Sequence, residues 1–172
     1  MKIINHHFPD KLVLFLFGES GVGKNYVGDV IANYNNWHVY HADQDITDEM
    51  KLALKEQRPF SDEMRDNYFA LLVNKINELT KLHPQLVVTQ GAYKRKHREF
   101  LQTHIANLSL VQVICSEHLL AQRIAQRTSG INVKSAQALK NDFQAAQAGE
   151  LVLTNNDGAD SIIEQFTKLF LK

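Results

Sequence analysis

The densest run of chemistry-bearing residues in the chain is Gly18-Glu19-Ser20-Gly21-Val22-Gly23-Lys24-Asn25, where three of the eight glycines fall within six residues. The spacing is G-x-x-x-x-G-K, followed by Asn25 where a Ser or Thr hydroxyl is usual. Glycines let the backbone curl so that successive N–H groups point inward onto an anion. A helix starting near Lys24 adds the positive end of its dipole, and the lysine adds a point charge for the outer phosphates. Gly18, Ser20, Gly21, Val22, Gly23, Lys24, Asn25 and Tyr26 are therefore expected to hold ATP with Mg²⁺. A hydroxyl at the place of Asn25 would touch the metal. An amide oxygen is also a hard ligand, though longer and bulkier, so Asn25 is a candidate metal ligand. A water-bridged contact or weakened metal binding are the alternatives.

Other candidates stand singly or in pairs. Asp43 follows an apolar segment, where an open α/β sheet would place it in the ligand crevice, and a carboxylate there can orient or deprotonate an attacking hydroxyl. A loop or cap acid is the plainer reading, since Asp45 and Asp48 are close by. Lys94-Arg95-Lys96-His97-Arg98 is the one dense basic cluster. It opens a predicted helix, where cations oppose the dipole and need a negative partner, either an anionic ligand or acidic side chains. Arg65 opens a long helix and faces the same choice, with Asp62 or Glu63 as internal partners. Arg123 and Arg127 are spaced to share one helix face.

These residues need elements to position them. Strands are predicted over Leu12–Phe17, Trp37–Tyr40, Leu86–Thr89, Leu108–Ile114 and Leu151–Leu153. Helices are predicted over Lys24–Tyr34, Thr47–Glu56, Asp62–Leu82 with Ser61 as cap, Lys94–Ile105, Glu117–Arg127, Ser135–Ala148 and Ser161–Leu171, the last with Ser161 and Glu164 as a capping box. Strands alternating with helices indicate an α/β fold with a parallel five-stranded sheet flanked by helices. Residues 46–82 form a helical insertion, and the polar stretch 128–135 is a candidate lid. The whole chain, residues 1–172, is expected to be one domain.

Composition narrows the class. Of 172 residues, 44% are apolar and 22% charged, which excludes a disordered chain. Lys plus Arg and Asp plus Glu are each 19, and that balance argues against nucleic acid or an anionic membrane as partner. One cysteine, Cys115, excludes an internal disulfide framework. No apolar run approaches the ~20 residues of a membrane helix, and the first residues lack a signal-peptide layout. A soluble, cytoplasmic protein is expected. D-x-x-G is missing and N-K-x-D has only the helical Asn74-Lys75-Ile76-Asn77 as a near match, which excludes a GTPase.

Beyond the glycine loop, His41-Ala42-Asp43, Pro59-x-x-Asp62-x-x-Arg65 and Lys94-x-x-x-Arg98-Glu99-x-Leu101 resemble blocks of the bacterial gluconokinases. Those enzymes carry D-G-D, then G-x-P-L-x-D-x-D-R-x-P-W-L, then S-A-L-K-x-x-Y-R-D-x-L. Leu119 to Arg127 is similar to their R-L-x-x-R segment. The resemblance runs from about Leu12 to the final helix and implies a P-loop kinase fold, with phosphoryl transfer from ATP to the 6-hydroxyl of gluconate. It makes Asp43, with Lys24 and Arg127, the catalytic candidates. Asp43, Arg65, Lys94 and Arg98 become substrate-binding candidates, with a small anionic molecule as the partner. Arg123 and Arg127 would grip the nucleotide. Family members are commonly dimers, so a homodimer is left open. His41 replaces the first acid of D-G-D, Tyr68 the Trp, Asn25 the loop hydroxyl, and Thr128 to Val133 the family's K-G-H-F. Shikimate or nucleotide kinases of the same fold, or a catalytically weak nucleotide-binding module, are the rival readings.

Overall fold

The computed structural model describes residues 8–127 and 140–171. Its sheet begins with β1 (Leu12–Phe17), all six residues of which are buried. Val13, Phe15 and Phe17 face one apolar cluster, while Leu14 and Leu16 face the other. A strand buried on both sides reads as an unbroken apolar run because helices cover both faces. Each such side chain contributes on the order of 1.5–3 kcal/mol.

Helix α1 (Lys24–Asn35) leads to β2 (His38–His41) and a 3-10 turn, Ala42–Asp45. The insertion follows as α2 (Asp48–Lys55) and α3 (Asp62–Leu82). Thr47 and Ser61 cap them, accepting from Met50 N–H at 3.2 Å and Met64 N–H at 3.1 Å. Then come β3 (Gln85–Thr89), α4 (Arg95–His104), β4 (Leu108–Ile114), α5 (Glu117–Ala125), β5 (Leu151–Thr154) and α6 (Ala159–Phe170). All strand pairs are parallel, in the order β2-β3-β1-β4-β5. No helix among the described residues is long and apolar enough to cross a membrane.

Three expectations change. The last helix starts at Ala159 behind Gly158, with no side-chain cap. Ser161 lies inside it and accepts from Gln165, while Glu164 pairs with Lys168, so the capping box does not form. α5 ends at Ala125, two residues before Arg127. The candidate lid, residues 128–135, lies outside the described residues. So does the first part of the Ser135–Ala148 helix, and from Asn141 to Glu150 the chain runs as turns and irregular backbone.

One close approach positions the site. A Cβ on Gly28 of α1 would lie 2.8 Å from Thr89 Cγ2 on β3, so only glycine lets the helix settle this near the strand. Gly28→Val is expected to overpack this contact and to cost about 2 kcal/mol, read as a lower urea midpoint with unchanged slope.

Candidate active site

The loop from Gly18 to Gly23 joins the carboxyl end of β1 to α1. Gly23 adopts a left-handed conformation (φ 88°) and caps α1 without a side-chain acceptor, which leaves the first N–H groups of the helix unclaimed by a cap. Behind the loop, the Val22 carbonyl accepts from Asn155 Nδ2 at 2.9 Å and Arg123 Nη1 at 3.0 Å. In front, Lys24 is buried and its Nζ donates to the carbonyls of Gly18 (3.1 Å) and Glu19 (2.9 Å). Burial lowers the Lys24 ammonium to about 8, against the opposing pull of Asp43.

A cavity of about 380 Å³ opens in front of this loop. Ser20, Gly21, Gly23, Lys24, Asn25, Asp43, Arg65 and Arg127 all line it. The chain thus brings together the loop, the acid after β2, one arginine from the insertion and one from beyond α5. Arg127 Nη1 donates to Ser20 Oγ at 2.8 Å. Asp43 is exposed on the 3-10 turn. That turn is fixed from below: Tyr68 Oη donates to the Ala42 carbonyl at 2.7 Å and accepts from Gln90 Nε2 at 2.7 Å. Asp45 is instead bound by Tyr40 Oη at 2.7 Å. Arg65 is buried, with Nη2 3.1 Å from Asp142 and Nη1 3.9 Å from Asp62.

Four side chains named from sequence do not reach the cavity. Arg98 is buried beneath the start of α4, where it donates to the carbonyls of Ala92 (2.7 Å), Tyr93 (3.3 Å) and Gln144 (2.5 Å) and stacks on Phe17. Lys94 points to Asp142 at 3.5 Å. The cationic helix start is compensated by Asp142, by Asp66 and Asp62 near Lys96, and by Gln144 Oε1 on Arg95 N–H, not by a ligand-facing pocket. Arg123 is engaged behind the loop, on Val22 and on the Asn155 carbonyl at 3.3 Å. Tyr26 is exposed on α1, away from the cavity. Gly18 and Val22 act through their carbonyls, which receive Lys24 and Arg123.

Among the lining residues not singled out from sequence are Tyr93 and His97. Tyr93 Oη accepts from Ser20 N–H at 2.8 Å, and burial pushes its phenol up to about 12. His97 stacks on Phe69 and its Nε2 lies 2.7 Å from Asp66. Since a carboxylate only accepts, Nε2 carries the proton. Burial lowers the His97 pKa and so favours the neutral ring, whose Nδ1 is buried without a partner. A lone acceptor beside a cavity was not legible, because the sequence shows only one more member of a basic cluster.

Arg98 therefore has a structural place. Arg98→Ala leaves three carbonyls without their donor and is expected to cost about 2–4 kcal/mol in urea unfolding. A KM effect with undiminished stability would contradict this placement.

No family model matches the chain. A "Probable gluconokinase" of Mus musculus is 29% identical over 89 residues, 52% of this chain and 48% of the mouse protein, so the match spans about half the length of that relative. A solved gluconokinase from Sinorhizobium meliloti 1021 superposes with a TM-score of 0.76 at 21% identity, covering 91% of this chain and 90% of the other. A sugar kinase from Janibacter sp. HTCC2649 gives 0.80 at 17% identity over 92% and 93%. The chain thus shares the fold of these kinases, a five-stranded parallel sheet flanked by helices with a glycine loop after its first strand.

Proposed function

We propose that the protein transfers the γ-phosphoryl group of ATP to a hydroxyl of a small anionic polyol, with gluconate first among sugar acids and 6-phosphogluconate as product. The observation that carries this is the shared cavity, whose lining brings together the glycine loop, Lys24 and Arg127, an exposed Asp43, and buried Arg65 and His97. The uncapped N–H groups at the start of α1, with Lys24 and Arg127, hold the triphosphate. Asp43 orients the acceptor hydroxyl and takes its proton as oxygen attacks the γ-phosphorus and the bond to the bridging oxygen breaks, leaving ADP. Arg65 supplies a fork for the carboxylate, exchanging it for Asp142. The unpartnered Nδ1 of His97 accepts from a further hydroxyl, which suits a polyol.

Mg²⁺ would neutralise phosphate charge in such a reaction. The residue expected to hold it does not fit as found, because Asn25 Oδ1 accepts from Thr89 Oγ1 at 2.7 Å. No cluster of three or more His, Cys, Asp or Glu among the described residues replaces it. Mg²⁺ commonly keeps several waters and binds chiefly through substrate phosphates.

ATP affinity is expected to carry the signature of Lys24. Triphosphate raises the pKa of the ammonium from its free value near 8, so affinity is full below pH 8 and declines as pH rises above it. Calorimetry from pH 6.5 to 9.5 should show that decline, and Lys24→Ala should bind weakly and without it. Undiminished binding by Lys24→Ala removes the loop from the site.

The acceptor is tested by ADP release with a panel of sugar acids, shikimate, nucleoside monophosphates and neutral hexoses. Gluconate or a related sugar acid is expected to give the highest kcat/KM. Arg65→Ala and His97→Phe should each raise the acceptor KM about tenfold, while Asp43→Asn should lower kcat by a factor of roughly 100 or more. Preference for a neutral hexose refutes the anionic acceptor.

A further inference from the structure

Two of the departures from the family pattern, Asn25 and His41, are joined in the fold. Thr89 Oγ1 at the end of β3 lies 2.7 Å from Asn25 Oδ1 and 2.8 Å from His41 Nδ1. His41 Nε2 lies 2.8 Å from Asp29 Oδ1 on α1. The four side chains form one ladder from Asp29 to Asn25, and Thr89 is buried at its centre.

The bond from the Thr89 hydroxyl to Asn25 Oδ1 gives the ladder its direction. Asp29 can only accept, so His41 Nε2 carries a proton. A hydroxyl has one proton, and Thr89 gives it to Asn25 Oδ1. The contact between Thr89 and His41 is then an Nδ1–H donating to the hydroxyl oxygen, so this direction of the ladder goes with a His41 ring protonated on both nitrogens and paired with the Asp29 carboxylate. The amide oxygen of Asn25 is thereby turned inward. Its NH₂ group, for which the described residues supply no acceptor, is left for the cavity that Asn25 lines.

We infer that Asn25 grips a nucleotide phosphate through its amide NH₂ and is not a ligand of the metal, and that Thr89, His41 and Asp29 are positioning residues that fix which end of the amide faces the phosphates. This rests on the nucleotide reading above. It accounts for both departures together. An amide has a donor end and an acceptor end of nearly the same shape, so it serves as a phosphate donor only if something holds it one way round. A hydroxyl needs no such anchor, because its proton rotates to suit. The reverse ladder, with Thr89 donating to His41 and Asn25 donating to Thr89, would turn the amide oxygen to the cavity and make it a metal ligand.

The test is calorimetry of ADP binding, once in EDTA and once with saturating Mg²⁺, on the full chain and on variants whose fold is checked by circular dichroism. Asn25→Ala should weaken ADP binding roughly tenfold in EDTA and by the same factor with Mg²⁺, as expected for one hydrogen bond to a charged group. Thr89→Val should reproduce most of that loss, Thr89→Ser should restore it, and Asn25→Ala combined with Thr89→Val should be no weaker than Asn25→Ala alone. If Asn25→Ala leaves binding in EDTA intact and removes only the gain due to Mg²⁺, Asn25 is a metal ligand and the inference is overturned. If Thr89→Val binds ADP as the unaltered protein does, the positioning role is overturned. If the unaltered protein binds no ADP under either condition, the nucleotide reading fails first and this inference falls with it.

Discussion

The Val22 carbonyl is the point on which the site hangs. A loop that offers its N–H groups to an anion must turn its carbonyls away, and buried carbonyls need donors of their own. Asn155, just past β5, and Arg123, on α5, both donate to this one oxygen. Asn155 is itself held by its N–H to the Ile114 carbonyl at 2.8 Å. The loop is therefore braced from β4 and β5 and by the helix between them. The tight fit extends to Gly23, where any Cβ would strike the Asn155 side-chain amide. An arginine assigned from sequence to the nucleotide is in this way a part of the loop's foundation. Its cost in charge burial is offset by two carbonyl contacts.

Charge in the cavity is arranged with the same economy. Arg127 lies near Lys24 and disfavours its charge, while Asp43 and Glu19 act the opposite way on Lys24. Such a set is poised for an anion that brings more negative charge than two carboxylates supply. Buried Arg65, among the described residues, is paired with Asp142 and with a more distant Asp62. Asp142 is more than a third exposed and serves Lys94 as well, so its hold on Arg65 is shared and partly screened by solvent. A ligand carboxylate with a bidentate grip competes well against such a partner.

How much of this was legible depends on the range over which each signal acts. β1 and α3 could be placed to the residue because an unbroken apolar run and a Ser cap before a long periodic segment are local features. Lys24 and Asp43 were legible because spacing from a strand end carries them to the crevice, and Arg127 because the resemblance named the segment that holds it. Arg98 and Arg123 were misplaced for a physical reason. Sequence shows that a guanidinium exists, but its five donors can satisfy carbonyls as readily as phosphates, and the partners here lie up to 101 residues away. Ser161 followed by Glu164 has the spacing of a capping box. The helix nevertheless starts earlier, at Ala159, behind a glycine whose positive φ ends the preceding loop. The ladder from Asp29 to Asn25 was invisible for the same reason of range, since Thr89 is separated from Asn25 by 64 residues.

That ladder also explains why α1 lies where it does. Asp29 and Asn25 are four apart on one face of α1, so a strand that comes near enough can be bonded to both through intermediates. Thr89 and His41 are paired in register on adjacent strands β3 and β2, which places their side chains on the same side of the sheet. The helix face and the strand pair meet only because Gly28, between Asn25 and Asp29, allows the backbone to sit against Thr89. A larger residue at Gly28 would separate Thr89 from Asn25 even if every polar side chain were kept. The identity of a residue with no polar side chain is thus a condition for the polar contact. Helix, strand and glycine together hold the Asn25 amide against Thr89.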